Sequence, residues 1–289
     1  MSAIQTAAGP LMRRRRLGAD LRQLRVANAL RLEEVADHLG VAPSTLSRIE
    51  TGKAPTRTSY LMFMLDLYGV DDPAQRRAFM DMAREGQRKG WWIAYDDVLP
   101  TGAGSYLGLE AEASALKVFQ ALAVPGLVRT AEYARALIVA RRPWLPAEDV
   151  DRLVTLDMRR QDVVRGNHPI PLRLVLDEAV LLRSIGSPAV MRGQLARLIE
   201  AGSEPAVTIQ VLRLAGPPGR VVAQSFGILS FAEPGDTDVA CAEGMRGQVQ
   251  LEQRMADVQA MRVTFEALSE SALRPAESAE LIRQIAALG

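Results

Sequence analysis

Pro43, Ser44, Thr45, Ser47 and Arg48 stand close together in the stretch "VADHLGVAPSTLSRIETG", and Lys53 and Arg57 follow shortly after. Hydroxyls and a guanidinium at this density make a surface that hydrogen-bonds rather than one that reacts. Serine and threonine donate or accept at several base edges and so discriminate weakly. Arginine bonds guanine O6 and N7 together, which separates the right base from the wrong one by about 1–3 kcal/mol. Lys53, Arg57 and the run Arg13 to Arg16 suit phosphates or a flanking minor groove. Such contacts give salt-dependent affinity without sequence choice.

Side chains of this kind need a rigid element to aim them. Leu17, Leu21 and Leu24 have helical spacing, and Leu32, Val35, Ala36 and Leu39 mark a second helix that Gly40 stops. Pro43 fits the first turn of a third helix, with Leu46 and Ile49 inward and Gly52 as its stop. Leu61, Met62, Met64, Leu65 and Leu67 make a fourth helix, and Asp72 and Pro73 open a fifth. Two short helices joined by a tight glycine-containing turn predict a helix-turn-helix, whose second helix presents its N-terminal residues to the major groove. Charge agrees with that reading. Residues 1–60 hold ten Lys/Arg against five Asp/Glu, and the rest of the chain 25 against 29. A basic front on an acidic body suits a polyanion partner for the front alone, although a solubilising basic tail has the same signature.

The segment "LGADLRQLRVANALRLEEVADHLGVAPSTLSRIETGKAPT" resembles the phage-repressor-type (Xre, Cro/CI) helix-turn-helix family over about Leu17 to Tyr68. Its markers are Arg25, Ala36, Gly40, Ser47, Ile49, Glu50 and Gly52. The resemblance implies a lambda-repressor-like fold, and it implies that Glu50 bonds within the domain. Two departures stand out. Arg31 and Leu32 occupy the places of a capping Ser/Thr and a Gln that reaches the DNA backbone, so Arg31 is expected to replace that contact. Ala42 stands where a serine often caps the third helix.

The remainder of the chain offers little for catalysis. His38 lies in the second helix and His168 in "GNHPIP", which two prolines hold extended. One cysteine, Cys241, and two histidines make no ordinary zinc site, and His168 has no sequence partner that suggests a hydrolytic triad. "TGAGSYLG" lacks the spacing and context of a phosphate-binding loop. No catalytic residue, metal or cofactor is expected. The residues kept as ligand or partner candidates are Arg159, Arg160 and Gln161 in "MRRQD", Glu178 at the start of "DEAVLLR", and Glu110, placed with Glu112 at a helix start. Leu109, Ala113, Leu116 and Phe119 predict a helix. "LRLVLD", "VTIQVLRL", "FGILSF" and "DVACAE" predict strands, and a long helix is expected from Arg246 to Leu273.

From about Trp91 to Ile282 the chain resembles an uncharacterised domain that follows Xre-type motifs in regulators of filamentous, spore-forming actinobacteria. The matching segments include Val124 to Thr130 with Glu132 to Ala134, and Leu176 to Ala179, with Arg129 where the family usually has Gln. The resemblance implies a role in development or antibiotic production, and neighbours that are small acidic partner proteins.

The chain is therefore expected to hold a loose basic N-terminus over residues 1–16. An all-α five-helix domain over 17–88 and a mixed α+β sensor or partner-binding domain over 89–289 follow. The partners expected are a double-stranded DNA operator, a second copy of the chain, and either a small molecule or a partner protein. An antitoxin-like interaction module and, less favoured, a nucleotide-using enzyme fused to the head are the alternatives. With one cysteine, no long apolar run and no apolar stretch behind Arg13 to Arg16, a cytoplasmic protein is expected, with neither membrane span nor secretory signal.

Overall fold

The computed structural model describes residues 9–215, 224–233, 236–244 and 247–288. The chain divides into two units, Met1–Trp91 and Trp92–Gly289.

The first unit consists of α1 (Pro10–Ala27), α2 (Leu32–Leu39), α3 (Pro43–Glu50), α4 (Thr58–Leu67) and α5 (Pro73–Gly86). Their apolar stripes close one core of Leu17, Leu21, Val35, Ala36, Leu46, Ile49, Leu61, Met64, Leu65 and Phe79. Gly40 ends α2 in the left-handed region at φ 65°, a conformation that costs glycine little and lets the chain turn at once into α3. Asp72 caps α5 by accepting from the N–H groups of Ala74 and Gln75.

One expectation is corrected here. The basic run does not lie in a loose tail, because α1 already begins at Pro10. Leu11 and Met12 are buried and anchor its first turn, so Arg13 to Arg16 are helical and only partly exposed. Arg13 pairs with Glu85 of α5, and Arg15 donates to the Met12 sulfur. Residues 1–8 lie outside the described residues.

The second unit is mixed α and β. After a 3-10 turn at Trp91–Tyr95 come α6 (Ala103–Glu112), β1 (Ala115–Gln120), α7 (Ala131–Arg141), α8 (Ala147–Arg160) and α9 (Asp162–Arg165). Then follow β2 (Leu172–Asp177), α10 (Glu178–Leu182), α11 (Pro188–Ala201), β3 (Val207–Leu212), β4 (Phe226–Ser230), β5 (Val239–Glu243) and β6 (Val249–Glu252). Helices α12 (Met255–Ser271) and α13 (Pro275–Leu288) complete the unit.

The six strands form one sheet in the order β3-β2-β1-β4-β5-β6. β1, β2 and β3 run parallel, while β4, β5 and β6 add antiparallel. Helices supply the crossovers between the parallel strands, as parallel pairing requires. One face of β1 and β2 carries Lys117, Phe119, Arg173 and Val175 towards α12, where Phe265 and Leu268 pack and Glu266 accepts from both cations. The other face carries Leu116, Val118 and Gln120, with Gly227 and Cys241 brought alongside by the register.

Two elements differ from their sequence reading. Leu116 to Phe119 belong to a central strand and not to a helix. Ala113 turns extended at φ −67°, ψ 149° and ends α6, and Leu116 and Val118 then bury alternately between β2 and β4. The helix expected from Arg246 begins only at Met255. Val249–Glu252 instead pairs as β6 along the edge of β5, and Arg246 itself lies outside the described residues.

Candidate functional site

In the first unit α3 has two distinct faces. Leu46, Ile49 and Glu50 are buried, whereas Pro43, Ser44, Ser47 and Arg48 are exposed and Thr45 is half-buried. The spacing of positions 44, 47 and 48 places those side chains on one stripe, as a 3.6-residue repeat requires. Among the described residues neither the Arg48 guanidinium nor the Lys53 ammonium has a hydrogen-bond or ion-pair partner, so both cations face solvent uncommitted. Arg57 leans over the Tyr60 ring, 5.6 Å from its centroid. Ala42 caps α3 with no side-chain acceptor, so that cap leaves the helix N-terminus open to an outside anion.

Arg31 also serves the start of α2. Glu34 reaches back to accept from the Arg31 N–H at 2.8 Å and from its guanidinium Nε at 3.0 Å. Half of a capping box thus replaces the missing serine cap of α2. The same bonds hold the Glu34 carboxyl below its ordinary value, and the Arg31 side chain stays largely exposed.

What fixes α3 is buried beneath it. Arg25 of α1 donates from Nε and Nη2 to the two oxygens of Glu50, at 2.6 and 2.9 Å, and from Nη1 to the Leu30 carbonyl. Glu50 is therefore internal scaffolding, as the resemblance implies. Among the described residues the buried Tyr68 hydroxyl has no hydrogen-bond partner, and burial together with the Glu50 charge pushes it up to about 12.

The second unit holds a cavity of about 170 Å³ between one sheet face and α6, α7 and α8. Its wall combines leucines and valines with Arg129, Arg141, Arg142, Asp157, Arg160, Cys241 and Glu243. A chain of ion pairs runs along it. Arg160 forks onto Glu110 at 2.8 and 2.8 Å and reaches Asp157 at 3.0 Å, and Arg129 meets the other Asp157 oxygen at 2.7 Å. Burial alone would raise Asp157, but the adjacent Arg129 and Arg160 outweigh it and hold the carboxyl low. The Tyr106 hydroxyl donates to Glu110, and Arg141 pairs with Glu243.

This wall explains the "VPGLVRT" segment. A Cβ on Gly126 would stand 2.7 Å from Arg160 Nη1 and 2.9 Å from Asp157 Oδ1, so only glycine admits the pair. Gln161 donates to the carbonyls of Gly126 and Arg129, and Gln194 clamps Thr130 N–H and the Val128 carbonyl.

Of the sequence candidates, Arg160 lines the cavity and Glu110 orients it. Glu110 sits in the last turn of α6 and not at a helix start, and the Arg160 fork offsets its unfavourable place at the negative end of that helix. Gln161 is a buried strut. Arg159 is exposed and Glu178 accepts from Arg213 and the Leu214 N–H, and neither touches the cavity. Sequence reasoning missed Asp157, Arg141, Arg142 and Glu243. One signal was available for Asp157: with Leu153, Leu156 and Arg160 it shares the apolar stripe of α8, where a charge needs a buried partner.

Cys241 lies in the cavity wall, and burial first, then the Glu110 and Glu243 charges, push its thiol up to about 12. Since the thiolate is the reacting form, the native protein is expected to resist a thiol reagent from about pH 7 to about pH 9 and to react fully once unfolded in urea. Rapid modification of the native chain would contradict the buried placement.

Among the described residues no helix is long and apolar enough to cross a membrane, and no cluster of His, Cys, Asp and Glu could hold a metal ion. A helical unit that exposes a polar third helix, in one chain with a cavity-bearing mixed-sheet unit, defines a helix-turn-helix protein with an appended domain. Residues 16–79 match the family described as helix-turn-helix domain, the domain of a DNA-binding regulator. Residues 103–284 match the family described as domain of unknown function (DUF5753), and the chain belongs to that family. No curated protein and no solved structure matches it significantly.

Proposed function

We propose that the chain is a sequence-specific transcriptional regulator of the Xre type, which binds its operator through α3 and receives a small-molecule signal in its second domain. The observation that carries the first half is the exposed stripe of Ser44, Ser47 and Arg48 on a helix whose other face is locked by Arg25 and Glu50. Arg48 is the main specifying residue, and Ser44, Thr45 and Ser47 add softer contacts. Lys53 and Arg57 meet phosphates. A single helix-turn-helix covers little DNA, so two copies act on symmetric half-sites about 10 base pairs apart, or a multiple of that. The protein works in the cytoplasm, and the resemblance of its sequence supports a place in actinobacterial development or antibiotic production.

The cavity supports the second half. Its carboxylates are each bound to an arginine, which leaves them poorly suited as general bases and favours binding over catalysis. A ligand there shifts operator occupancy only if it prefers one of two states of the protein. Selection of duplexes from a random library with the full-length chain tests the proposal. One recurrent half-site motif should be enriched, with affinity that falls steeply as salt rises. Enrichment of no motif would reject the reading.

A further inference from the structure

The charges around the cavity do not balance. Arg129, Arg141, Arg142 and Arg160 line it, and the carboxylates that pair with them are Asp157, Glu243 and Glu110. The arginine left over is Arg142. It is half-buried at the end of α7, and among the described residues it meets no carboxylate at ion-pair distance. Among the described residues its guanidinium makes one hydrogen bond, to the Val98 carbonyl at 3.5 Å, the far limit for such a bond. Burial lowers its guanidinium below the ordinary value, with Asp157, Arg141 and Glu243 felt in the same field. A guanidinium in this position lacks the partner that buried cations require.

The rest of the wall says what shape that partner has. Leu107, Val118, Leu137, Ile138, Leu153 and Leu156 provide an apolar surround. A cavity of about 170 Å³ is close to the roughly 150 Å³ apolar cavity that takes up benzene in an engineered protein. One ring, or a short aliphatic body, fits. The other arginines are committed, since Arg129, Arg141 and Arg160 are paired, and the Tyr106 hydroxyl already donates to Glu110; Gln120 adds a neutral amide to the wall.

We infer that the cavity binds a small monocarboxylate, its carboxylate forked onto Arg142 and its ring-sized apolar body set among the leucines and valines. The inference rests on the reading of the second domain as a small-molecule sensor.

Benzoate serves as the probe, titrated calorimetrically into the full-length chain beside benzamide, acetate and inorganic phosphate. Benzoate should bind one per chain, with benzamide, acetate and phosphate each at least tenfold weaker. Arg142→Met should weaken benzoate at least tenfold and leave benzamide unchanged, and Arg142→Lys should restore part of the loss. The comparison of benzoate with benzamide uses the unaltered chain and so holds even if Arg142→Met does not fold. Equal affinity for the two, no benzoate binding, or full benzoate affinity in a folded Arg142→Met chain would overturn the site. An added arm measures operator affinity with benzoate present. Saturable benzoate binding that leaves operator affinity unchanged would uphold the site and reject the sensor reading.

Discussion

Replacing Glu50 with alanine is expected to destabilise the N-terminal unit by about 3–5 kcal/mol, because it strands the Arg25 guanidinium inside the core. The two side chains are only 10% and 3% exposed, so water cannot take over the lost bonds. The unpartnered Tyr68 hydroxyl beside them offers an oxygen but no charge. Domains of this kind hold about 5–15 kcal/mol in total, so the loss should be plain in urea unfolding followed by circular dichroism. The double change Arg25→Met with Glu50→Leu should recover most of it, since an apolar pair of similar volume removes the stranded charge. Glu34→Ala is the control, as the side chain of its partner Arg31 is 78% exposed. A Glu50→Ala chain as stable as that control would contradict the buried pair.

The C-terminal unit has its own centre of this kind. Asp157→Ala is expected to cost about 3–5 kcal/mol, since one carboxylate serves both Arg129 and Arg160 beneath Gly126. The same pair makes the unit acid-sensitive. The folded pKa of Asp157 lies below its ordinary value because of the two arginines, so the unfolded chain binds the proton more readily. Its stabilisation is complete above the unfolded value of about 3.9 and is lost as pH falls through the folded pKa. Asp157→Asn keeps the shape without the charge. It should lower stability at neutral pH and flatten this part of the acid dependence, as read by urea midpoints at successive pH values. An acid limb of unchanged steepness in Asp157→Asn would assign that sensitivity elsewhere.

The helical front was legible from residue spacing because each helix buries a stripe of its own and is punctuated by Gly40, Pro43, Gly52 and Pro73. Glu50 took its role from the resemblance, and no spacing rule could have paired it with Arg25, since the two meet only when α1 packs on α3. The sheet was half legible. β3 alternates cleanly because Val207, Ile209 and Val211 bury one face while the half-buried Thr208 and Gln210 share the face towards α12. β1 is central, apolar on both faces at Val118 and Phe119, and its Leu116 and Phe119 also fit a helical repeat continuing from α6. β6 is a four-residue edge strand with little burial to mark it. The cavity was least legible, because its arginines and carboxylates are gathered from separated helices and strands and become partners only through the fold.

The central claim is that Arg48 reads the operator. Its most direct test is the affinity of the Arg48→Ala chain for the selected operator and for unrelated duplex, measured by fluorescence anisotropy across a range of salt. Operator affinity should fall by about 1–3 kcal/mol with the preference at one base pair relaxed, while binding to unrelated duplex changes far less. Lys53→Ala, measured alongside, should weaken both duplexes alike and reduce the salt slope by about one. Undiminished operator affinity and unchanged base preference in Arg48→Ala would show that α3 is not the reading element.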